Sequence, residues 1–153
     1  MQINILIISF FTFLVACAPV NSNQYKVWSS LPTPEIWKPN SIWNLVMLDQ
    51  KGVIIKTLTV KFTDQAAETC SSGKANKIEI LFENPKRLPT NKNEPAYYLR
   101  GSALKIDLAS NICDDSYDLS GQLSEFGFEG VHQPVTMYGG KIVGRFYGTP
   151  VNN

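Results

Sequence analysis

Apolar and polar residues alternate with period two along most of this chain, and that pattern limits the possible folds more than any other feature. In GVIIKTLTVKF (52–62), Ile54, Leu58, Val60 and Phe62 fall on one face, with Thr57, Thr59 and Lys61 on the other. KIEILFE (77–83) sets Ile78, Ile80 and Phe82 against Lys77, Glu79 and Glu83. ALKIDLA (103–109) sets Leu104, Ile106 and Leu108 against Lys105 and Asp107, and KIVGRFYG (141–148) sets Ile142 and Phe146 against Val143, Arg145 and Tyr147. Successive side chains of a strand point to opposite faces, so each run builds a strand with one face in a core and one in water, as in antiparallel sheets. No segment carries a convincing amphipathic helical pattern. The best short helix is Asp64–Glu68.

Turn signals punctuate the runs: Asp49-Gln50-Lys51-Gly52, Ser71-Ser72-Gly73-Lys74, Asn84-Pro85, Arg100-Gly101-Ser102 and Gly139-Gly140. About eight strands follow, near 43–49, 53–62, 77–83, 96–100, 103–109, 119–125, 126–132 and 141–148. Short strands at such spacing build an all-β barrel or sandwich. Gly121, Gly127, Gly130, Gly144 and Gly148 interrupt strand-like runs, as corners of a small barrel require. The expectation is a small antiparallel barrel of about eight strands, with a β-sandwich as the alternative. Strand count, glycine placement and Trp43 on the first strand make residues 41–149 similar to the small calycin-type barrels of lipocalins and avidins. The lipocalin Gly-x-Trp is absent; Ser41-Ile42-Trp43 stands in its place.

The start of the chain, MQINILIISFFTFLVAC, is apolar from Ile5 to Ala16 except at Ser9 and Thr12. This is too short to cross a bilayer of ~30 Å as a helix and suits the apolar region of a secretory signal. Leu14-Val15-Ala16-Cys17 resembles the lipobox of bacterial lipoproteins. The resemblance implies cleavage before Cys17 and acylation of its thiol, which anchors the chain without a transmembrane helix. Ala18 is not the Asp that retains such proteins at the inner membrane, so the outer membrane, periplasmic side, is implied. The chain then divides into a signal peptide (1–16), a Pro-rich lipid-anchored tether (17–40) and a β-barrel domain (41–153). Trp28 and Trp37 are large apolar groups for a tether; they suit packing of its end onto the domain, or a docking segment.

With Cys17 set aside, Cys70 and Cys113 remain, and an oxidising compartment favours their pairing. Free thiols or a metal pair are the alternatives. There is no Cys-x-x-Cys, and His132 is the only histidine, so no metal and no cofactor are expected. Fourteen basic and thirteen acidic residues nearly balance, which gives no reason to expect nucleic acid.

CDDSYD (113–118) is the densest polar cluster. Asp114, Asp115 and Asp118 could supply oxygens to calcium, but the spacing fits no EF-hand and reads first as a turn. His132 has no nucleophilic elbow beside it and reads as a surface or packed residue. Glu79 and Asp107 read as a solvated face. EPAYYLRG and GRFYG place Tyr98, Arg100, Arg145 and Tyr147 as candidates for a binding surface, since aromatics and Arg are enriched at hot spots. The function expected is non-enzymatic: an envelope lipoprotein joined to the membrane by its N-terminal lipid, binding an envelope protein or a small apolar ligand. An inhibitor or immunity protein against a lytic enzyme, acting through the acidic cluster, and a carboxylate hydrolase are the alternatives.

Overall fold

The computed structural model describes residues 22–70, 73–84, 94–113, 115–136 and 138–151. Cys17 and Asp114 lie outside the described residues. Among the described residues one helix, α1 (Ser22–Ser30), precedes nine strands: β1 (Ile42–Asp49), β2 (Ile54–Ala66), β3 (Asn76–Asn84), β4 (Ala96–Arg100), β5 (Ala103–Asp107), β6 (Asp115–Ser124), β7 (Gly127–Thr136), β8 (Gly139–Gly140) and β9 (Gly144–Pro150). The sheet runs β6-β5-β4-β3-β2-β1-β9-β7, and pairing of β6 with β7 closes it. β8 is a short addition on β7. All ladders are antiparallel, so the expected eight-stranded barrel is what forms, and the sandwich alternative is not.

The register climbs steeply. Starting at Asp49, successive cross-strand partners are Gly144, His132, Leu119, Ile106, Tyr97, Asn76 and Ala66. That path leaves the C-terminal end of β1 and arrives at the C-terminal end of its antiparallel neighbour β2. One circuit therefore spans the full height of the barrel, and the strands tilt accordingly. We call the end where the chain enters β1 and leaves β9 proximal, and the end with the β1–β2 turn distal.

Inward positions follow the alternation. Trp43, Leu45, Leu58, Val60, Phe62, Leu104, Ile106, Leu119 and Phe146 all belong to one buried cluster. Gly121 and Gly130 face each other across β6 and β7, where a Cβ on Gly121 would sit 2.8 Å from the Gly130 Cα; the expected close backbone approach is realised there.

The disulfide between Cys70 and Cys113 forms. Among the described residues the β3–β4 ladder is the shortest in the barrel wall, with two residue pairs, Asn76↔Tyr97 and Lys77↔Ala96. Cys70 follows β2 and Cys113 precedes β6, so the bridge passes over this seam. The Cys70 N–H donates to Ser110 O at 2.9 Å, and Ser110 Oγ donates to Glu94 O at 2.6 Å, so three connecting segments are tied together.

One expectation is met and three need correction. The end of the segment read as tether packs onto the barrel, as Trp28 and Trp37 suit, and it contains α1. Its helix shows little amphipathic pattern because its partner is backbone: the Trp28 carbonyl accepts from Ser102 N–H and Ser102 Oγ, each at 3.0 Å. Gly101, in the left-handed region (φ 58°), allows the approach, since a Cβ there would collide with the Leu31 and Ser29 carbonyls. Downstream, Trp37 packs on Phe62 (4.7 Å between centroids), Tyr97 (5.4 Å) and Trp43 (5.8 Å), closing the proximal end. Of the corrections, first, Asp64–Ala66 extends β2 and is not helical. Second, CDDSYD is not a turn throughout: β6 begins at Asp115, paired with Thr136. Third, the β2–β3 register shifts between Thr59↔Phe82 and Val60↔Ile80. The extra residue, Leu81, reverses the facing beyond it, so Phe82 turns out and Glu83 turns in.

Candidate functional site

Among the described residues the barrel core is closely packed: Trp43, Val60, Phe62, Leu104, Ile106 and Phe146 have no accessible surface. Two polar groups stand among these apolar ones, both toward the distal end. Lys56 and the inward-turned Glu83 form a buried ion pair. His132, also fully buried, has both ring nitrogens engaged: Nε2 lies 2.8 Å from the Leu48 carbonyl oxygen and Nδ1 lies 2.7 Å from Tyr117 Oη. A carbonyl can only accept, so Nε2–H donates to it and Nδ1 accepts from the Tyr117 hydroxyl. The imidazole is thereby held neutral. Burial lowers its pKa, against the pull of the Leu48 carbonyl, and burial raises that of Tyr117. With no nitrogen free and no exposure, His132 is the packed residue that was one of its two readings.

On the outer face, the structure brings together two of the residues singled out from sequence. Tyr98 on β4 and Asp118 on β6 flank Lys105 on β5; Lys105 Nζ lies 2.9 Å from Asp118 Oδ2 and 5.9 Å from the Tyr98 ring centroid. Asp107 is the cross-strand partner of Asp118. Expected on a solvated face, it is instead buried, and its Oδ1 accepts from Ala109 N–H at 2.9 Å. Burial raises the Asp107 pKa, partly offset by that N–H. For Lys105, burial works to lower the pKa, but the bond to Asp118 and the charges of both aspartates outweigh it and raise the value. Two carboxylates beside a lysine have the makings of acid–base chemistry. Here, however, both carboxylates are almost fully buried and hold local structure: Asp118 fixes the lysine and Asp107 caps the turn after β5.

Arg145 and Tyr147 lie elsewhere, on β9, which is separated from β4 by three strands around either side of the barrel. Arg100 is exposed at the end of β4. Asp115 is the first residue of β6. The residues proposed as one binding surface are thus divided between two faces. Among the described residues no group of three or more His, Cys, Asp or Glu could hold a metal ion.

No protein-family model, curated protein or solved structure matches this chain.

What the surface offers is apolar. At and near the distal end, Val53, Ile54, Leu81 and Phe82 (59 % exposed) face solvent, and Tyr138, just before β8, is 93 % exposed. At the proximal end Phe126, in the two-residue β6–β7 turn, is 90 % exposed. It borders a cleft of about 620 Å³ that Leu31, Pro32 and Pro34 also line. Alternation sets Phe82 on the buried face, and it singles out neither Phe126 nor Tyr138. SEFGFEG alternates well enough for Phe126 to read as strand, although Glu125-Phe126 before Gly127 is a usable two-residue turn signal. For Phe82 no signal existed, because the bulge that turns it outward has no residue signature.

Proposed function

We propose that this chain is a bacterial envelope lipoprotein, cut before Cys17, acylated there, and held at the periplasmic face of the outer membrane. Its barrel is a non-enzymatic binding module that recognises another envelope protein with its outer surface. The observation that carries this reading is the closely packed core. The closed barrel is compatible with a calycin-like architecture, and the packing of the described core residues supports recognition by the outer surface over a small apolar ligand held within. There, Val53, Ile54, Leu81, Phe82 and Tyr138 present exposed apolar surface at and near the distal end, which supports contact with a protein. The inhibitor reading loses Asp118 as its contact, since that carboxylate is buried against Lys105; Tyr138 is the protruding side chain it would use instead.

Photo-crosslinking in cells tests the proposal. A photoreactive residue at Phe82 or Tyr138 is expected to give one defined adduct with an envelope protein, and the same residue at Thr149, on the proximal part of β9, none. A small molecule retained by the purified protein in native mass spectrometry, with no crosslinked adduct at either position, refutes it.

A further inference from the structure

The tether is much shorter than the sequence suggests. If Cys17 carries the lipid, only residues 18–21 separate it from α1, which begins at Ser22. A fully extended chain gains at most ~3.6 Å per residue, so the start of α1 is held within ~18 Å of the anchored cysteine. α1 is not free to lengthen that leash, because its last turn is fixed to the β4–β5 turn through the Trp28 carbonyl and Ser102. The proximal end of the barrel is therefore confined to the neighbourhood of the bilayer.

That end carries the exposed apolar groups a bilayer would take up. Val27 and Leu31 are one helical turn apart on the same side of α1 and the residue after it, and both are exposed. Leu31 and Phe126 both line the proximal cleft. The exposed charges at this end are mixed, Lys26, Lys38 and Arg100 with Glu35 and Glu125, and form no strong field of one sign. Large apolar side chains without a basic surround suit the interfacial zone of a lipid layer whatever its charge.

We propose that the proximal end of the barrel rests on the membrane, with Val27, Leu31 and Phe126 seated in the lipid interface and the distal end turned away from it. This rests on the lipoprotein reading, and it adds a fixed orientation: the anchor and these three side chains together act as a multi-point contact. The distal apolar residues are then the ones presented to the periplasm.

The test uses the full-length, acylated protein in vesicles of phosphatidylcholine containing a spin-labelled acyl chain. Single cysteines replace Phe126, Leu31 and, at the other end, Tyr138, each labelled with a bimane fluorophore. Positions 126 and 138 are almost fully exposed, so the labels leave the fold unperturbed. The expected result is loss of fluorescence at 126 and 31 and none at 138, unchanged by added salt or by phosphatidylglycerol. Mass spectrometry of the N-terminal peptide accompanies it. A protein without acyl chains on Cys17 removes the lipoprotein reading and this one with it. An acylated protein unquenched at 126, or quenched alike at 126 and 138, overturns the orientation alone.

Discussion

Replacing Cys70 and Cys113 together by alanine tests whether the bridge holds the weakest seam of the barrel. The two cysteines are 43 residues apart, and closing a loop of that size removes chain entropy from the unfolded state worth about 4 kcal/mol at 25 °C. With a urea dependence of about 2 kcal/mol per molar, the midpoint should fall by about 2 M. The position of the bridge makes a second, local demand. It spans β3 and β4, which share two residue pairs among the described residues, whereas β1 and β9 share seven. Amide exchange in the double variant should therefore accelerate first at Ile78, whose N–H donates to Pro95 O, and at position 70, whose N–H donates to Ser110 O. Amides of the β1–β9 ladder should lose protection only with global unfolding. A midpoint shift below about 0.5 M would show that the unfolded chain gains little freedom when the bridge is removed. A full shift with uniform exchange across the barrel would refute the idea that the bridge guards this seam.

Three further outcomes follow from the distal core. Tyr117→Phe removes the hydroxyl that satisfies His132 Nδ1 and leaves a buried acceptor unpaired; a loss of about 1–3 kcal/mol is expected in thermal or urea unfolding, and an unchanged midpoint contradicts the assigned tautomer. The folded-state pKa of His132 lies below 6.5, so the unfolded chain takes up a proton first. Stability from this group is complete above about pH 6.5 and is lost as pH falls through the folded value; His132→Gln should flatten the fall in urea midpoint between about pH 7 and pH 5, and comparison with the wild type cancels the opposite effect of the raised Asp107. Gly144→Ala would push a methyl group into the Leu48 carbonyl and against His132 Nε2, and should cost about 1–3 kcal/mol or more, whereas Gly52→Ala meets no neighbour and carries only the left-handed penalty of about 1 kcal/mol; equal midpoints for the two variants would show that the wall yields at Gly144.

Alternation made the strands legible because the barrel has one buried face and one wet face along nearly every strand. Ile78, Leu104, Ile106 and Phe146 all point inward as their spacing requires. Legibility failed where the cause was not local. The bulge at Leu81 reverses Phe82 and Glu83 through the pairing of β3 with β2, and no residue in KIEILFE announces it. Asp107 lies on the outer face as expected, yet it is buried, because exposure there depends on which loops cover the wall. α1 draws its support from Ser102, far away in sequence, and not from an apolar stripe. The candidate surface was divided for a similar reason: Tyr98 and Tyr147 look alike in sequence, but the strand order places them on different sides. The Tyr98–Lys105–Asp118 cluster needed the registers of three strands to be known together.

The closure of the wall sets an order of events during synthesis. β1, the first strand made, finds one of its two partners in β9, the last: Trp43 faces Pro150 and Asp49 faces Gly144. β1 must therefore wait, half paired, until β9 has emerged. Contacts of such long sequence separation form slowly. During that wait Trp43, Leu45 and Met47 lack the strand that completes their side of the core. A chain ending before residue 144 would leave β1 and β7 as two open edges, each lined with unpaired backbone and backed by apolar side chains. Loss of the last ten residues would thus convert a wall without edges into one with two, and the truncated product should aggregate rather than persist as a slightly weakened barrel.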